Sequence, residues 1–285
     1  MTRLRRRRWF LLPTTLPSLF LVTTLLLLIT GVDKTWGAMD NHFLYFPTRT
    51  LNSTPAAAGL EFEEIRFPAV DGTSLHGWLV PGQPDFPLVL FFHGNAGNIG
   101  DRVHNLQRLH QAGYPVFIFD YRGYGHSGGS PSETGTSDDG RGAVAWLEQR
   151  GYPPAKTLYF GRSLGAAIAL QMALEFSPAG LVMESPFTSI RAMGRWHYPV
   201  LSRLFGWLLS AEYNNEENIG SLTVPLLLIH GTADSIVPPI MGKRLFELAP
   251  EPKRIYLVKG ADHNDSFYLG DVEYWQNWHW LTSAH

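Results

Sequence analysis

Three features of this 285-residue chain predict an α/β fold with a mostly parallel central sheet of about eight strands and helices on both faces. Short β-favouring apolar runs alternate with longer stretches of helical pattern from about residue 61 onward. The roughly 225 residues involved suit a single α/β domain. The first two runs are joined through Asp71-Gly72, a hairpin signal, so an antiparallel start should give way to parallel pairing.

In chain order, the first element is a basic cluster, Arg3 and Arg5 to Arg8, followed by Trp9 to Val32, an uncharged apolar stretch with its core at Leu19 to Ile29. That length spans a bilayer, and the arginines should stay on the cytoplasmic side, leaving the folded domain in the periplasm or a lumen. Residues 1–34 therefore read as a cytoplasmic tail and transmembrane signal-anchor. A cleaved signal peptide is the competing reading, but Thr35-Trp36-Gly37 offers only a weak small-x-small site. If cleaved, the protein would be secreted or periplasmic. Arg7-Arg8-Trp9-Phe10-Leu11 also resembles a twin-arginine export signal, although the leucine-rich segment suits an anchor better.

Residues 35–60 form a connecting segment, and 61–285 the folded domain. Its strand candidates are Phe62 to Pro68, Thr73 to Val80, Pro87 to Phe92, Val116 to Asp120, Thr157 to Phe160, Gly180 to Glu184, Val224 to Ile229 and Arg254 to Val258. Between them, Arg102 to Gln111 is amphipathic, and Leu164 to Leu174 is an alanine-rich apolar stretch that reads as a buried helix. No internal repeat, low-complexity tract or metal-ligand spacing is present, and no cofactor or metal is expected.

Gly-x-Ser-x-Gly occurs twice, at Gly125-His126-Ser127-Gly128-Gly129 and at Gly161-Arg162-Ser163-Leu164-Gly165. Only the second has a strand before it and a helix after it. Ser163 thus falls on a sharp strand-to-helix turn, where small residues two before and two after the serine leave room for a strained backbone. Its hydroxyl should stand above the sheet, with the Leu164 N–H aimed at a developing oxyanion. Ser127 leads into glycine, serine and proline, which reads as a loop.

A nucleophilic serine needs a base and an orienting acid, and in this architecture they follow in the order serine, acid, histidine. Asp234 lies just past the apolar strand ending at His230, and His263 on the loop after the next strand. Loops at the carboxyl ends of adjacent parallel strands can meet over the elbow. Glu184, at the end of an earlier strand, is the rival acid. His93 and His230 read as loop braces, and His76, His104, His110, His126 and His197 precede the acid and read as structural or surface residues. His279 falls in the terminal helix and His285 ends the chain. The second oxyanion donor is expected from the glycine-rich loop His93-Gly94-Asn95-Ala96-Gly97-Asn98, with the Asn95 N–H as candidate.

These stretches, with Asp120-Tyr121-Arg122-Gly123-Tyr124-Gly125, Glu184-Ser185-Pro186-Phe187-Thr188-Ser189, His230-Gly231-Thr232-Ala233-Asp234 and His263-Asn264-Asp265, resemble the α/β-hydrolase superfamily over about Glu61 to Leu281. The chain is similar to its membrane-associated branch of lysophospholipase-like and serine-aminopeptidase-like hydrolases, which includes protein depalmitoylases. The resemblance implies the α/β-hydrolase fold and carries nucleophile, acid and base onto Ser163, Asp234 and His263. Two features depart from the branch. Asp262 replaces a small residue before the histidine, where it could raise the basicity of His263 if its carboxylate approached the ring. The depalmitoylase group has an N-terminal cysteine cluster for lipid attachment, and this chain has no cysteine, so depalmitoylation does not carry over.

Beyond residue 34 the chain holds 17 basic and 24 acidic residues, net −7, which gives no support for binding nucleic acid or polyanions. No obligate protein partner is evident. A short cap is expected at about 186–222, where Trp196, Tyr198, Leu201, Leu204, Phe205, Trp207, Leu208 and Leu209 make an apolar stretch of helical spacing. Such a cap either shapes a pocket for a lipid-like acyl substrate or covers the sheet. Arg191, Arg195 and Arg203 could serve a lysophospholipid headgroup. The expected activity is cleavage of carboxylic esters or thioesters through an acyl-enzyme on Ser163. An amidase or peptidase of the same fold, and a noncatalytic binding protein that keeps the fold, are the alternatives. Haloalkane dehalogenase and epoxide hydrolase chemistry would need a carboxylate at the elbow.

Overall fold

The computed structural model describes residues 44–208 and 211–283. The basic tail, the expected membrane anchor, the first part of the connecting segment, Leu209 and His285 lie outside the described residues. Among those described, no helix is long and apolar enough to cross a membrane.

Eight strands form one sheet: β1 (Glu63–Pro68), β2 (Ser74–Val80), β3 (Leu88–Phe92), β4 (Val116–Asp120), β5 (Thr157–Arg162), β6 (Gly180–Glu184), β7 (Leu226–Gly231) and β8 (Lys253–Val258). Their order is β1-β2-β4-β3-β5-β6-β7-β8, with β2 antiparallel to both neighbours and every other pairing parallel. All eight coincide with the expected runs to within two residues at either end. The β1–β2 connection closes through Ala69 to Thr73, with the Gly72 N–H donating to the Ala69 carbonyl at 2.9 Å and Gly72 at φ +84°. Only glycine takes that conformation without strain.

The central strands are buried on both faces, as parallel strands covered by helices must be. Along β3, Leu88, Leu90 and Phe92 enter one core while Val89 and Phe91 enter the other, so a period of two feeds two cores. Helices α1 (Val103–Gln111) and α8 (Asp271–Ser283) cover one face through Leu106, Leu109, Trp278 and Leu281. On the other lie α2 (Glu133–Gln149), α3 (Leu164–Phe176) and α7 (Pro239–Leu248), through Val144, Leu147, Ile168, Met172 and Leu245. Each such fully buried side chain contributes roughly 1.5–3 kcal/mol of transfer free energy.

The cap comprises α4 (Ile190–His197), capped by the Ser189 hydroxyl accepting from the Ala192 N–H at 3.1 Å, and α5 (Pro199–Phe205) with a turn over Gly206–Leu208. The chain then returns to the body through α6 (Asn215–Asn218). Ile190, Ala192 and Met193 pack on the core, but Trp196, Tyr198, Leu201, Leu204 and Trp207 are exposed. These five therefore neither cover the sheet nor line a closed pocket. A two-residue parallel ladder, Phe46–Pro47 on Ala96–Gly97, ties the incoming chain to the loop after β3. Nothing in the apolar pattern of those four residues signals it.

Candidate active site

Ser163 joins β5 directly to α3 and adopts φ 53°, ψ −117°, a conformation that costs a non-glycine residue about 1–3 kcal/mol. Its surroundings over-determine it. The Ser163 N–H donates to the Glu184 carbonyl at 2.9 Å, and the Ser163 carbonyl accepts from the Ala166 N–H at 3.0 Å. A side chain at Gly165 would run into the Phe92 and His93 carbonyls, and one at Gly161 into Gly165 and Ala166. Both glycines are thus required by close backbone approach. Gly94 borders the serine, since a methyl group there would sit 3.7 Å from the Ser163 Cβ.

The candidate acid and base, Asp234 and His263, lie on the turns after β7 and β8. His263 Nδ1 lies 2.8 Å from Asp234 Oδ2 and 3.1 Å from Oδ1, with both side chains buried. The same carboxylate accepts from the N–H groups of Val237 at 2.8 Å and Ile236 at 3.0 Å, and Oδ2 stands 3.3 Å from His230 Nε2. Burial alone would raise the Asp234 pKa, but the hydrogen bonds from His230 and His263, with the Val237 N–H, hold it well below the usual carboxylate range. Asp234 is therefore an anion at neutral pH. An anion there fixes the Nδ1–H tautomer of His263 and leaves Nε2 free to take a proton.

Glu184, the rival acid, is turned elsewhere. Its Oε2 accepts from Tyr274 Oη at 2.6 Å and its Oε1 stands 3.3 Å from Arg162 Nε. Arg162 in turn donates to the His263 carbonyl at 3.0 Å, linking the elbow to the histidine loop. Among the described residues the Ser163 hydroxyl makes no hydrogen bond to His263. Such contacts are commonly long in unliganded enzymes and tighten around substrate.

Asp262 does not approach the imidazole ring. Its carboxylate accepts from the Ser235 N–H at 2.8 Å, the Ser235 hydroxyl at 2.9 Å and the His263 N–H at 2.7 Å, so it clamps the acid loop to the histidine loop. The two other histidines read as braces do brace. His230 Nε2 lies 2.9 Å from the Val237 carbonyl, and His93 Nδ1 lies 2.7 Å from the Gly94 carbonyl. Burial, opposed by the attraction of Asp120, lowers the His93 pKa to about 4 and keeps it neutral.

Of the two oxyanion candidates, Leu164 opens α3, where a backbone N–H has no partner within the helix. Asn95 is positioned through its side chain: Oδ1 accepts from Tyr124 Oη at 2.8 Å, and Nδ2 donates to the Leu44 carbonyl. Arg162, Ser235 and Tyr124 are site-shaping residues that motif reading missed, because their partners Glu184, Asp262 and Asn95 lie on other segments of the chain. His230 was legible as a loop brace but not as a partner of Asp234, and the position of Asp262 beside the histidine hinted at a role other than the clamp it forms.

Away from this site, Glu64, His76 and His126 bring potential metal-ligand atoms within 4.8 Å of one another. They come from β1, β2 and the loop after β4, so no sequence spacing announces them. His76 Nε2 already pairs with Glu64 at 2.8 Å. A cleft of about 580 Å³ beside them, lined by Leu51, Phe62 and Trp78, lies at the antiparallel edge of the sheet and not at Ser163.

Strand order, a strained serine between β5 and α3, and an Asp–His pair on the loops after β7 and β8 define the α/β-hydrolase architecture. Residues 83–215 match the serine aminopeptidase S33 family. An uncharacterized protein of Mycobacterium tuberculosis (strain H37Rv) is 39% identical over 253 residues, which cover 87% of this chain and 89% of that one. An uncharacterized membrane protein of Saccharomyces cerevisiae is 34% identical, covering 75% and 77%. The lysophosphatidylserine lipase ABHD12 of Danio rerio is 36% identical over 192 residues, 61% of this chain and 50% of that one. Among solved structures, the Pyrococcus furiosus esterase Pf2001 superposes with a TM-score of 0.69 at 20% identity, covering 84% of this chain and 98% of that one. The chain belongs to the α/β-hydrolase superfamily.

Proposed function

We propose that the protein is a serine hydrolase that cleaves carboxylic esters or thioesters of a lipid-like acyl group through an acyl-enzyme on Ser163. The observation that carries this reading is the Asp234–His263 pair, buried and 2.8 Å apart, on the loops that follow a serine held at φ 53°. As Ser163 Oγ attacks the acyl carbon, His263 Nε2 takes its proton, and the imidazolium is stabilised by the Asp234 carboxylate. The Leu164 and Asn95 N–H groups donate hydrogen bonds to the developing oxyanion. Collapse breaks the bond to the leaving group, which receives the proton from His263. Water, deprotonated by the same nitrogen, then releases the acid and restores Ser163.

The lipase named among the relatives supports a lipid-like acyl substrate. The yeast relative, named a membrane protein, supports membrane association. The arginine cluster ahead of the apolar stretch supports residues 1–34 as the anchor and the domain on the extracytoplasmic side. The S33 match favours one second reading, an aminopeptidase or amidase using the same three residues. No nucleic acid or obligate protein partner enters either reading.

The test is fluorophosphonate labelling of the wild type, Ser163→Ala and Ser127→Ala, then turnover of p-nitrophenyl esters of increasing chain length beside an aminoacyl p-nitroanilide. Labelling lost only in Ser163→Ala, with ester turnover, supports the proposal. Faster anilide cleavage moves the reading to the peptidase, and absence of both label and turnover leaves a binding protein.

A further inference from the structure

The cap presents a surface that the proposed chemistry does not use. Trp196, Tyr198, Leu201, Leu204 and Trp207 are between 57% and 72% exposed, all within twelve residues. His197 Nε2, 2.7 Å from the Ile236 carbonyl, fastens this cap to the acid loop, where Ile236 and Ile240 extend the apolar surface. Isolated exposed apolar residues are ordinary, whereas a contiguous set of tryptophan, tyrosine and leucine is a contact surface.

Its charge is opposite to that of the domain. From Ser185 to Ala211 there is no acidic residue but there are three arginines, in a domain of net −7. Arg195 and Arg203 are exposed and make no ion pair among the described residues. Aromatic and leucine side chains interleaved with arginine match the boundary between lipid headgroups and acyl chains.

The route of the chain supplies the orientation. The apolar stretch ends at Val32 and the described chain begins at Leu44, whose carbonyl accepts from Asn95 Nδ2 at the site. The next residue, Tyr45, meets Tyr213 hydroxyl to hydroxyl at 2.8 Å, where the cap rejoins the body. The intervening segment spans at most about 40 Å when fully extended, against a domain about 45 Å across. An anchored chain therefore holds its site-and-cap face, not its opposite face, toward the bilayer.

We infer that the exposed face of the cap docks into the lipid interface, so that the site takes its acyl substrate from the membrane. This rests on the anchored serine-hydrolase reading. The test uses the full chain reconstituted in vesicles of phosphatidylcholine and phosphatidylglycerol. Because the chain has no cysteine, Leu204→Cys, Trp207→Cys and, on the opposite face, the exposed Lys156→Cys can each carry one environment-sensitive fluorophore. Quenching by nitroxide lipid at positions 204 and 207 but not at 156 is the expected result. Water-like emission at all three positions overturns the inference, as does apolar emission at 204 and 207 without lipid quenching, which would mean that a second copy of the protein covers the cap.

A second arm compares Leu204→Ser/Trp207→Ser with wild type. Turnover of an ester dispersed in the vesicles should fall about tenfold while a water-soluble acetate ester is unaffected, and equal turnover of both by the variant overturns the inference. If the wild type turns over neither ester, the hydrolase reading fails and the quenching pattern alone decides docking.

Discussion

At Ser127 the hydroxyl accepts from the His76 N–H at 2.9 Å and donates to the Asp120 carbonyl at 2.6 Å, deep in the protein. At Ser163, within the same Gly-x-Ser-x-Gly spacing, the serine is half-buried at the start of a helix and carries the left-handed φ itself. The glycines exchange roles accordingly. Around Ser127, Gly125 and Gly129 adopt positive φ, 43° and 70°, and the serine is relaxed. Around Ser163 the glycines have ordinary φ and are present because neighbouring backbone leaves no room for a Cβ. In this chain the same spacing forms a strand-to-helix elbow where the strain sits on the serine, and a turn where it sits on the glycines.

The sharpest way to break this comparison is to remove each hydroxyl. Ser163→Ala should abolish fluorophosphonate labelling and lower ester turnover by about 10⁵-fold or more while the protein stays folded. Ser127→Ala should keep its labelling but lose about 1–3 kcal/mol of stability in urea unfolding, because a buried N–H and a buried carbonyl lose their partner. Labelling lost in Ser127→Ala at full stability would overturn the division of roles.

Next is the acid. Asp234→Asn should lower kcat by about 10⁴-fold, since an amide favours the wrong imidazole tautomer, whereas Glu184→Gln should keep its labelling. Asp234 also has a pH signature. Its carboxyl is held below its ordinary pKa of about 3.9, so the unfolded chain binds that proton more tightly than the folded one. The stability it contributes is complete above that value and is lost as pH falls below it. The melting temperature of Asp234→Asn should therefore fall less steeply than that of wild type between about pH 5 and about pH 2.

Glycine substitutions sharpen the contrast in packing. Gly165→Ala, forced against the Phe92 carbonyl, should destabilise by about 3 kcal/mol or more and lose labelling. Gly128→Ala has ordinary contacts, the nearest 3.4 Å from the Ser74 carbonyl, and should cost less than about 1 kcal/mol. The smallest effect is expected at Asp262→Ala. Loosening the clamp between the Asp234 and His263 loops should lower kcat by about threefold to tenfold, with KM little changed.

Much of this was legible in the chain. All eight strands follow from apolar runs bounded by turn residues, and the elbow from the strand, glycine, serine and alanine-rich helix in succession. Asp234 and His263 follow from their places after two consecutive strands. Sequence left Asp234 and Glu184 as competitors, because both follow apolar strands. Geometry separates them: Glu184 is satisfied by Tyr274 and Arg162, and Asp234 by His230 and His263. The exposed face of the cap was not legible either, since helical spacing says that one side is apolar but not whether anything covers it.

By itself, then, the sequence determined which segments are strands, which serine precedes a helix, that the domain is acidic and that a long apolar stretch precedes it. These are local properties, set by side-chain periodicity and backbone preference within a few residues. Only the tertiary structure decided which carboxylate meets His263, that Arg162 and Asp262 bind the elbow and the two loops together, and that the chain arrives from its apolar segment beside the cap. Those contacts join residues up to 168 positions apart, as Tyr45 and Tyr213 are. They depend on strand order and packing, which no local pattern encodes.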